Sequence, residues 1–282
     1  MSVSMRYRKC IGAVAAAMLT VFAAPAIAVD MKYPDFESQW RIPDGVKGDP
    51  WDPARPAGLG QQAPLIPEYQ AIFEKSVKDQ AAGGRGNNYA GRCMLDGMPR
   101  MMSLTGPMEV LFQRAYTVLI FQNAFARRIY TDGRDWPVDE EGTFDGYSIG
   151  KWIDEDGDGR YDVLEVETRQ FNGPRALESS GLPLHKDNQT IIKERIFLDN
   201  DNKDVLHDQI TIIDNAFTHP WTVDKTYVRE RKPTWSEYLC QVPPDRVYIG
   251  QDEYSVSPDG KLMPTHENQP PPDLRYFQQP RK

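Results

Sequence analysis

From Met108 onward the chain is a succession of short β-branched and aromatic segments with no helical period between them. Met108–Gln113, Tyr116–Gln122, Ala126–Thr131, Ser148–Ile153, Val163–Phe171, Thr190–Leu198, Val205–Asp214, Thr222–Arg229 and Glu237–Gln241 each read as a strand. Turn-forming runs separate them, among them Asp132-Gly133-Arg134, Asp199-Asn200-Asp201-Asn202 and Asp214-Asn215. Strands in series without crossover helices favour antiparallel pairing between neighbours. The expected fold is mainly β, an antiparallel meander closed as a lipocalin-like barrel or folded as a sandwich.

The flanks read differently. Met1–Lys9 carries Arg6, Arg8 and Lys9, Cys10–Ala24 is apolar, and Ala26-Ile27-Ala28 offers small residues for cleavage. This is the pattern of a secretory signal peptide removed after Ala28, and it places the mature chain in the periplasm or outside the cell. Residues 29–91 read as an extended arm rich in Pro, Gly, Asp and Trp, followed by one short helix. Pro67–Lys78 puts Tyr69, Ile72, Phe73 and Val77 at helical spacing, with Pro67 in the first turn. Residues 92–242 form the β domain, and 243–282 a Pro-rich polar tail, disordered or laid across the surface. The chain has a net charge of −8, and the leader takes three basic residues and no acid with it, so the mature protein is still more acidic. That balance disfavours nucleic acid and anionic membranes as partners. No second long apolar run exists to span a bilayer. Oligomeric state leaves no mark on the sequence.

Two cysteines remain after the leader, Cys93 and Cys240. An exported chain with an even pair points to a disulfide between them, the alternative being two buried thiols.

The sharpest local motif is Asp154-Glu-Asp-Gly-Asp-Gly-Arg-Tyr-Asp162. Calcium takes 6–8 oxygens, and alternate side chains of a curled loop converge on one centre. Asp154, Asp156 and Asp158 supply side chains, Arg160 a backbone carbonyl, and Asp162 closes the set directly or through water. Strand-like segments flank the loop where an EF-hand has helices, so it resembles the calcium loops between strands of integrin-type propeller repeats. The competing reading is an acidic hairpin turn without metal. A single copy argues against a propeller.

Catalytic candidates are sparse. On Ile191–Leu198 one strand face carries Ile192, Glu194, Ile196 and Leu198, which puts a carboxylate among apolar side chains. Arg127 and Arg128 occupy opposite faces of another strand, so one of them points inward. Glu194 with an arginine and a histidine reads either as a ligand anchor or acid/base set, or as a buried ion pair fixing the core. His185 and His219 sit in loops suited to a barrel mouth. Nucleophile-elbow, P-loop and dinucleotide motifs are all missing from the sequence, as is zinc-type histidine spacing.

Asp35-Phe-Glu-Ser-Gln-Trp40, Leu65-Ile-Pro-Glu-Tyr-Gln70, Cys93 with Gly97-Met-Pro-Arg100, Arg127–Arg134, Ser148-Ile-Gly-Lys-Trp152, Glu194-Arg195, Pro220-Trp221 and Tyr238-Leu-Cys240 occur in that order. Together they resemble a widespread group of exported bacterial β-rich proteins. The resemblance implies a lipocalin-style barrel and assigns no reaction. Members of that group usually carry a short Trp-Glu-Gly-Asp turn where this chain has the Asp154 loop, which makes the loop an addition here.

Three functions fit these observations. The first is a barrel binding a small, partly apolar molecule, with Arg127, Arg128, Glu194, His185 and His219 as polar contacts. The second is an enzyme acting on such a molecule through Glu194 and a histidine. The third is a structural envelope protein.

Overall fold

The computed structural model describes residues 32–44, 51–52, 63–92, 94, 96–104, 106–113, 115–139, 141–237, 246–249, 252–265 and 269–270. Among these, nine strands close into one barrel in chain order. They are β1 (Gln39–Arg41), β2 (Met108–Gln113), β3 (Tyr116–Phe121), β4 (Arg127–Tyr130), β5 (Tyr147–Ile153), β6 (Val163–Arg169), β7 (Ile191–Leu198), β8 (Val205–Ile213) and β9 (Trp221–Arg229). The strand alternation read from the sequence holds: β8 alternates partly and fully buried residues along its whole length. Closure settles barrel against sandwich, and it removes the exposed edges that an open sheet would carry.

Two departures from the sequence reading concern how the barrel closes. The arm contributes a strand: Trp40 pairs with Met108 on one side and with Arg229 on the other, so β1 seals β2 to β9. Three residues in a Pro- and Gly-rich context show too few alternations to register as a strand. The meander also breaks once. β4 and β5 pair in parallel, Ile129 opposite Ser148 and Tyr130 opposite Ile149. The long connection between them returns the chain to the same end, which a tight turn cannot do.

Helix α1 (Pro67–Ala81) begins at Pro67 as expected and buries Tyr69 and Phe73 in the common core. It lies by the end of the barrel where β8 runs into β9, held by Ile66 N donating to Ala216 O and Thr218 N to Pro64 O. The tail is more ordered than its composition suggests. β10 (Arg246–Ile249), β11 (Asp252–Val256) and β12 (Leu262–Pro264) form a separate antiparallel sheet. Arg85, just after α1, forks onto Glu253 of that sheet. Glu237, expected to open a strand, lies outside any strand, and Tyr238–Gln241 fall outside the described residues. Cys93, Cys240 and the Ala28 cleavage point also lie outside them. No described helix is long and apolar enough to cross a membrane.

The barrel interior is full. Phe36 and Trp51 from the arm, Met101 and Met102 from the 3-10 turn Arg100–Ser103, and residues of every strand from β1 to β9, Trp152 in the case of β5, form one apolar cluster. A residual internal cavity of about 10 Å³ borders Met102, Leu164, Ile196, Asp208 and Tyr227. That is room for one water and no ligand.

Candidate functional site

Glu194 points into the barrel, as strand alternation requires, and is 2% exposed. Its partner is Arg127, also 2% exposed, reaching across from β4 to β7, strands that are not neighbours in the sheet. Arg127 Nη1 donates to Glu194 Oε1 at 2.7 Å, and Nη2 donates to Oε2 in the second arm of a fork. The remaining donors are used as well: Nη2 to Thr168 Oγ1 at 3.0 Å and Nε to Ser148 Oγ at 3.2 Å. A buried guanidinium with every edge engaged has the geometry that offsets desolvation.

Beside this pair lies a second set of polar groups. Asp208 of β8 is fully buried, and neither carboxylate oxygen has a hydrogen-bond partner. Burial first, then the charge of Glu194, pushes its pKa well above the ordinary range, against the opposing pull of Arg127 and Lys225. The folded state therefore holds the Asp208 proton to higher pH than the unfolded chain does. Lys225 of β9 donates to Ser103 Oγ at 2.9 Å and to the Trp51 carbonyl, with Trp51's ring 4.3 Å from Nζ. Tyr227 donates to the Met102 carbonyl at 2.5 Å. The arm and the 3-10 turn thus serve as internal partners for the lumen's polar groups. Sequence reasoning passed over Asp208, Lys225 and Tyr227. Their signal was present in the alternation Leu206, Asp208, Ile210, Ile212 and in Trp221, Val223, Lys225, Tyr227.

Asp208 carries a pH prediction. The folded state keeps a proton that the unfolded chain releases above about pH 3.9, so this group's contribution to stability falls as pH rises from there. Asp145, raised to about 6 by burial against the pull of Arg127, acts in the same direction. Asp208→Asn is expected to flatten the wild-type decline and to melt above wild type at pH 8, with little difference at pH 4. Parallel melting curves of the two proteins across that range would sink the assignment.

The other candidates do not join Glu194. Arg128 is exposed and lies 5.9 Å from the Tyr116 ring. His185 rests against Tyr69 and holds Asp187 Oδ2 at 2.9 Å from Nδ1. His219 is exposed in the β8–β9 turn beside Thr218. No acid/base pair with Glu194 is assembled among the described residues.

The Asp154 loop joins β5 to β6. Gly157 and Gly159 have φ of 76° and 89°, a conformation that side chains resist and that curls the backbone over its own carboxylates. Gly157 N and Gly159 N donate to the two oxygens of Asp154 at 2.8 and 2.9 Å, and Glu155 N donates to Asp162 Oδ2 at 2.8 Å. Carboxylate oxygens of Asp154, Asp156 and Asp162 come within 4.8 Å of one another. Asp158, expected as a fourth side-chain ligand, is not in that cluster; its Oδ1 accepts from Arg160 N at 2.8 Å.

Among the described residues, the outer face of β5–β9 carries an open concavity much larger than the space of about 10 Å³ in the lumen. It measures about 470 Å³ and is lined by Ile149 and Thr211 together with Glu167, Lys193, Glu165 and Arg195. Strand pairing aligns these in two rows, Ile149–Glu167–Lys193–Thr211–Thr222 and Lys151–Glu165–Arg195–Gln209. The rows alternate in charge, with Lys193 3.8 Å from Glu167 and Arg195 3.7 Å from Glu165. A second concavity of about 470 Å³ continues from Arg195 to Asp158 and Asp162 of the acidic loop. Comparison with models of known families and with curated proteins finds no match to this chain.

Proposed function

We propose that this is an exported β-barrel protein that binds a small, partly apolar molecule on the outer face of β5–β9, with a structural calcium ion in the Asp154 loop. The observation that carries the binding reading is the 470 Å³ groove, within the roughly 300–1,000 Å³ typical of small-molecule sites. Ile149 and the methyl groups of Thr211 and Thr222 give it apolar surface, and Lys193, Arg195, Glu165 and Glu167 offer both signs of charge for orienting polar groups. The lumen, the usual site in a lipocalin-style barrel, is occupied by the protein's own side chains. The Met1–Ala28 pattern supports export, to the periplasm or beyond, and the ordered motifs support kinship with the exported β-rich group. The converging carboxylates of Asp154, Asp156 and Asp162 support the calcium assignment. Acid/base catalysis has less behind it: the Glu194 carboxylate is sealed and forked onto Arg127.

Thr211→Trp tests the groove. Tryptophan suits a strand and projects outward here, so the barrel is expected to keep its melting temperature within a few degrees while the groove is filled. Protein taken from its native compartment is weighed intact under non-denaturing conditions. The wild type is expected to carry a small molecule that the variant lacks. A wild type with no adduct, or a variant that retains it, overturns the reading.

A further inference from the structure

The charges of the outer groove are sorted by strand. Glu165 and Glu167 project outward from β6, and Lys193 and Arg195 from β7. The register sets Glu165 opposite Arg195 and Glu167 opposite Lys193. Residues two apart on a strand share a face about 7 Å apart, and neighbouring strands lie about 4.8 Å apart. The groove therefore holds a negative column beside a positive column. The two columns engage each other loosely. Lys193 Nζ lies 3.8 Å from Glu167 Oε2 and Arg195 Nε lies 3.7 Å from Glu165 Oε1, both longer than a hydrogen bond. Arg195 Nε is sealed from solvent and has no hydrogen-bond partner. Arg169 also leans on Glu167, and Glu155 on Arg195, from outside the groove.

Beyond the positive column the face loses its charge. Thr211 of β8 and Thr222 of β9 continue the row of Lys193, and their hydroxyls engage each other at 2.8 Å. They need no polar partner from a ligand. On the other side of the acids stands β5, with Ile149 in register with Glu167 and Lys151 with Glu165. Lys151 repels a ligand's positive group and turns it toward Glu167 and Ile149.

A ligand with a single charge meets one favourable and one repellent column. A neutral ligand desolvates both columns and forms no ionic contact in exchange. A zwitterion satisfies both when its charges are about 5 Å apart, the spacing of neighbouring strands. We infer that the groove selects a zwitterion in a fixed order: an ammonium over β6, an anionic group over β7, and an uncharged, partly apolar body beyond the anion over β8 and β9. This rests on the groove proposed above and adds the class and direction of its ligand. A free small molecule and a lipid headgroup can both offer that order, as an ammonium joined through a short link to a phosphodiester.

The test is calorimetric titration at fixed ionic strength with four probes that share a hexyl chain. Hexylphosphocholine carries its charges in the proposed order. A hexyl sulfobetaine carries them reversed, with the ammonium next to the chain. Hexyl phosphate and hexyltrimethylammonium carry one sign each. Hexylphosphocholine is expected to bind about tenfold more tightly than any of the others. Glu165→Gln/Glu167→Gln is expected to remove its advantage over hexyl phosphate, and Lys193→Gln/Arg195→Gln its advantage over hexyltrimethylammonium. These side chains face outward, and the ranking of probes within one variant is independent of that variant's stability. Thr211→Trp is expected to abolish binding. Equal affinity for the two zwitterions overturns the inference, as does a single-sign probe that binds as tightly, or hexylphosphocholine binding that survives Thr211→Trp. A native adduct lost in Thr211→Trp, with no preference among the probes, removes the ligand class and leaves the groove standing. No adduct and no probe binding removes both. Hexylphosphocholine binding together with sedimentation on phosphatidylcholine vesicles assigns the order to a lipid headgroup, and binding without sedimentation assigns it to a free molecule; both support the inference.

Discussion

Glu194→Gln is expected to lower stability by about 3–5 kcal/mol at pH 5, a fall in Tm of roughly 6–20 °C for a domain of this size. The substitution keeps shape and removes charge. It leaves Arg127, 2% exposed, without its counter-ion in the middle of the barrel. The loss is expected to be smaller at pH 8. Glu194's charge is one of the causes holding the Asp208 pKa high, and Arg127 already pulls the other way. With Glu194 neutral, Asp208 ionises more readily and takes over part of the compensation. The double variant Glu194→Gln/Asp208→Asn has no such reserve. It is expected to fall below the sum of the two single effects at pH 8, a non-additivity that denaturant melts of the four proteins measure directly. Simple additivity at both pH values would show that the two acids do not share a cation. A ligand-anchor role for Glu194 makes a different prediction: the variant would melt at or above wild type and lose binding.

Asp156→Ala is expected to abolish calcium binding and, with it, any difference in melting between calcium and chelator. Wild type should show one site per chain by calorimetry and a lower Tm in chelator. Asp156 is the most exposed of the three converging carboxylates, so its removal costs the apo fold little and isolates the metal effect. Asp158→Ala is the discriminating partner. Four side-chain ligands, as the motif alone implies, would make the two variants equivalent. The cluster of Asp154, Asp156 and Asp162 makes Asp158→Ala the milder, retaining binding. Identical melting of wild type with calcium and with chelator, and no heat on titration, would leave an acidic turn held by its own backbone N–H donors.

The difference between Asp158 and Asp156 shows where reading the motif stops. Alternate spacing places both side chains on the loop, yet their aim depends on the φ values of Gly157 and Gly159 and on which backbone N–H each carboxylate accepts. Arg127 and Arg128 pose the same problem. Alternation says that one faces inward, and only the pairing of β3 and β4 decides which. The lumen contents were partly visible. Asp208 and Lys225 stand on faces otherwise made of Leu206, Ile210, Val223 and Tyr227, a pattern as clear as the one that singled out Glu194. A lone aspartate and a lone lysine belong to no motif, so their chemistry depends on the partners that the closed barrel brings to them.

The sequence by itself determined the strands from β2 to β9, the start of α1, the inward face of β7 and the curled acidic loop. These follow from side-chain period, turn residues and proline placement, which act within a few neighbouring positions. The tertiary structure alone decided that Gln39–Arg41 closes the barrel, that β4 and β5 run parallel, that Arg127 crosses the lumen to Glu194, and that Met102 and Trp51 fill it. It also decided that a sizeable concavity lies on the outer face of β5–β9. Those outcomes depend on which distant segments meet when a sheet closes on itself, and nothing in the local period of a strand specifies what stands across the barrel from it.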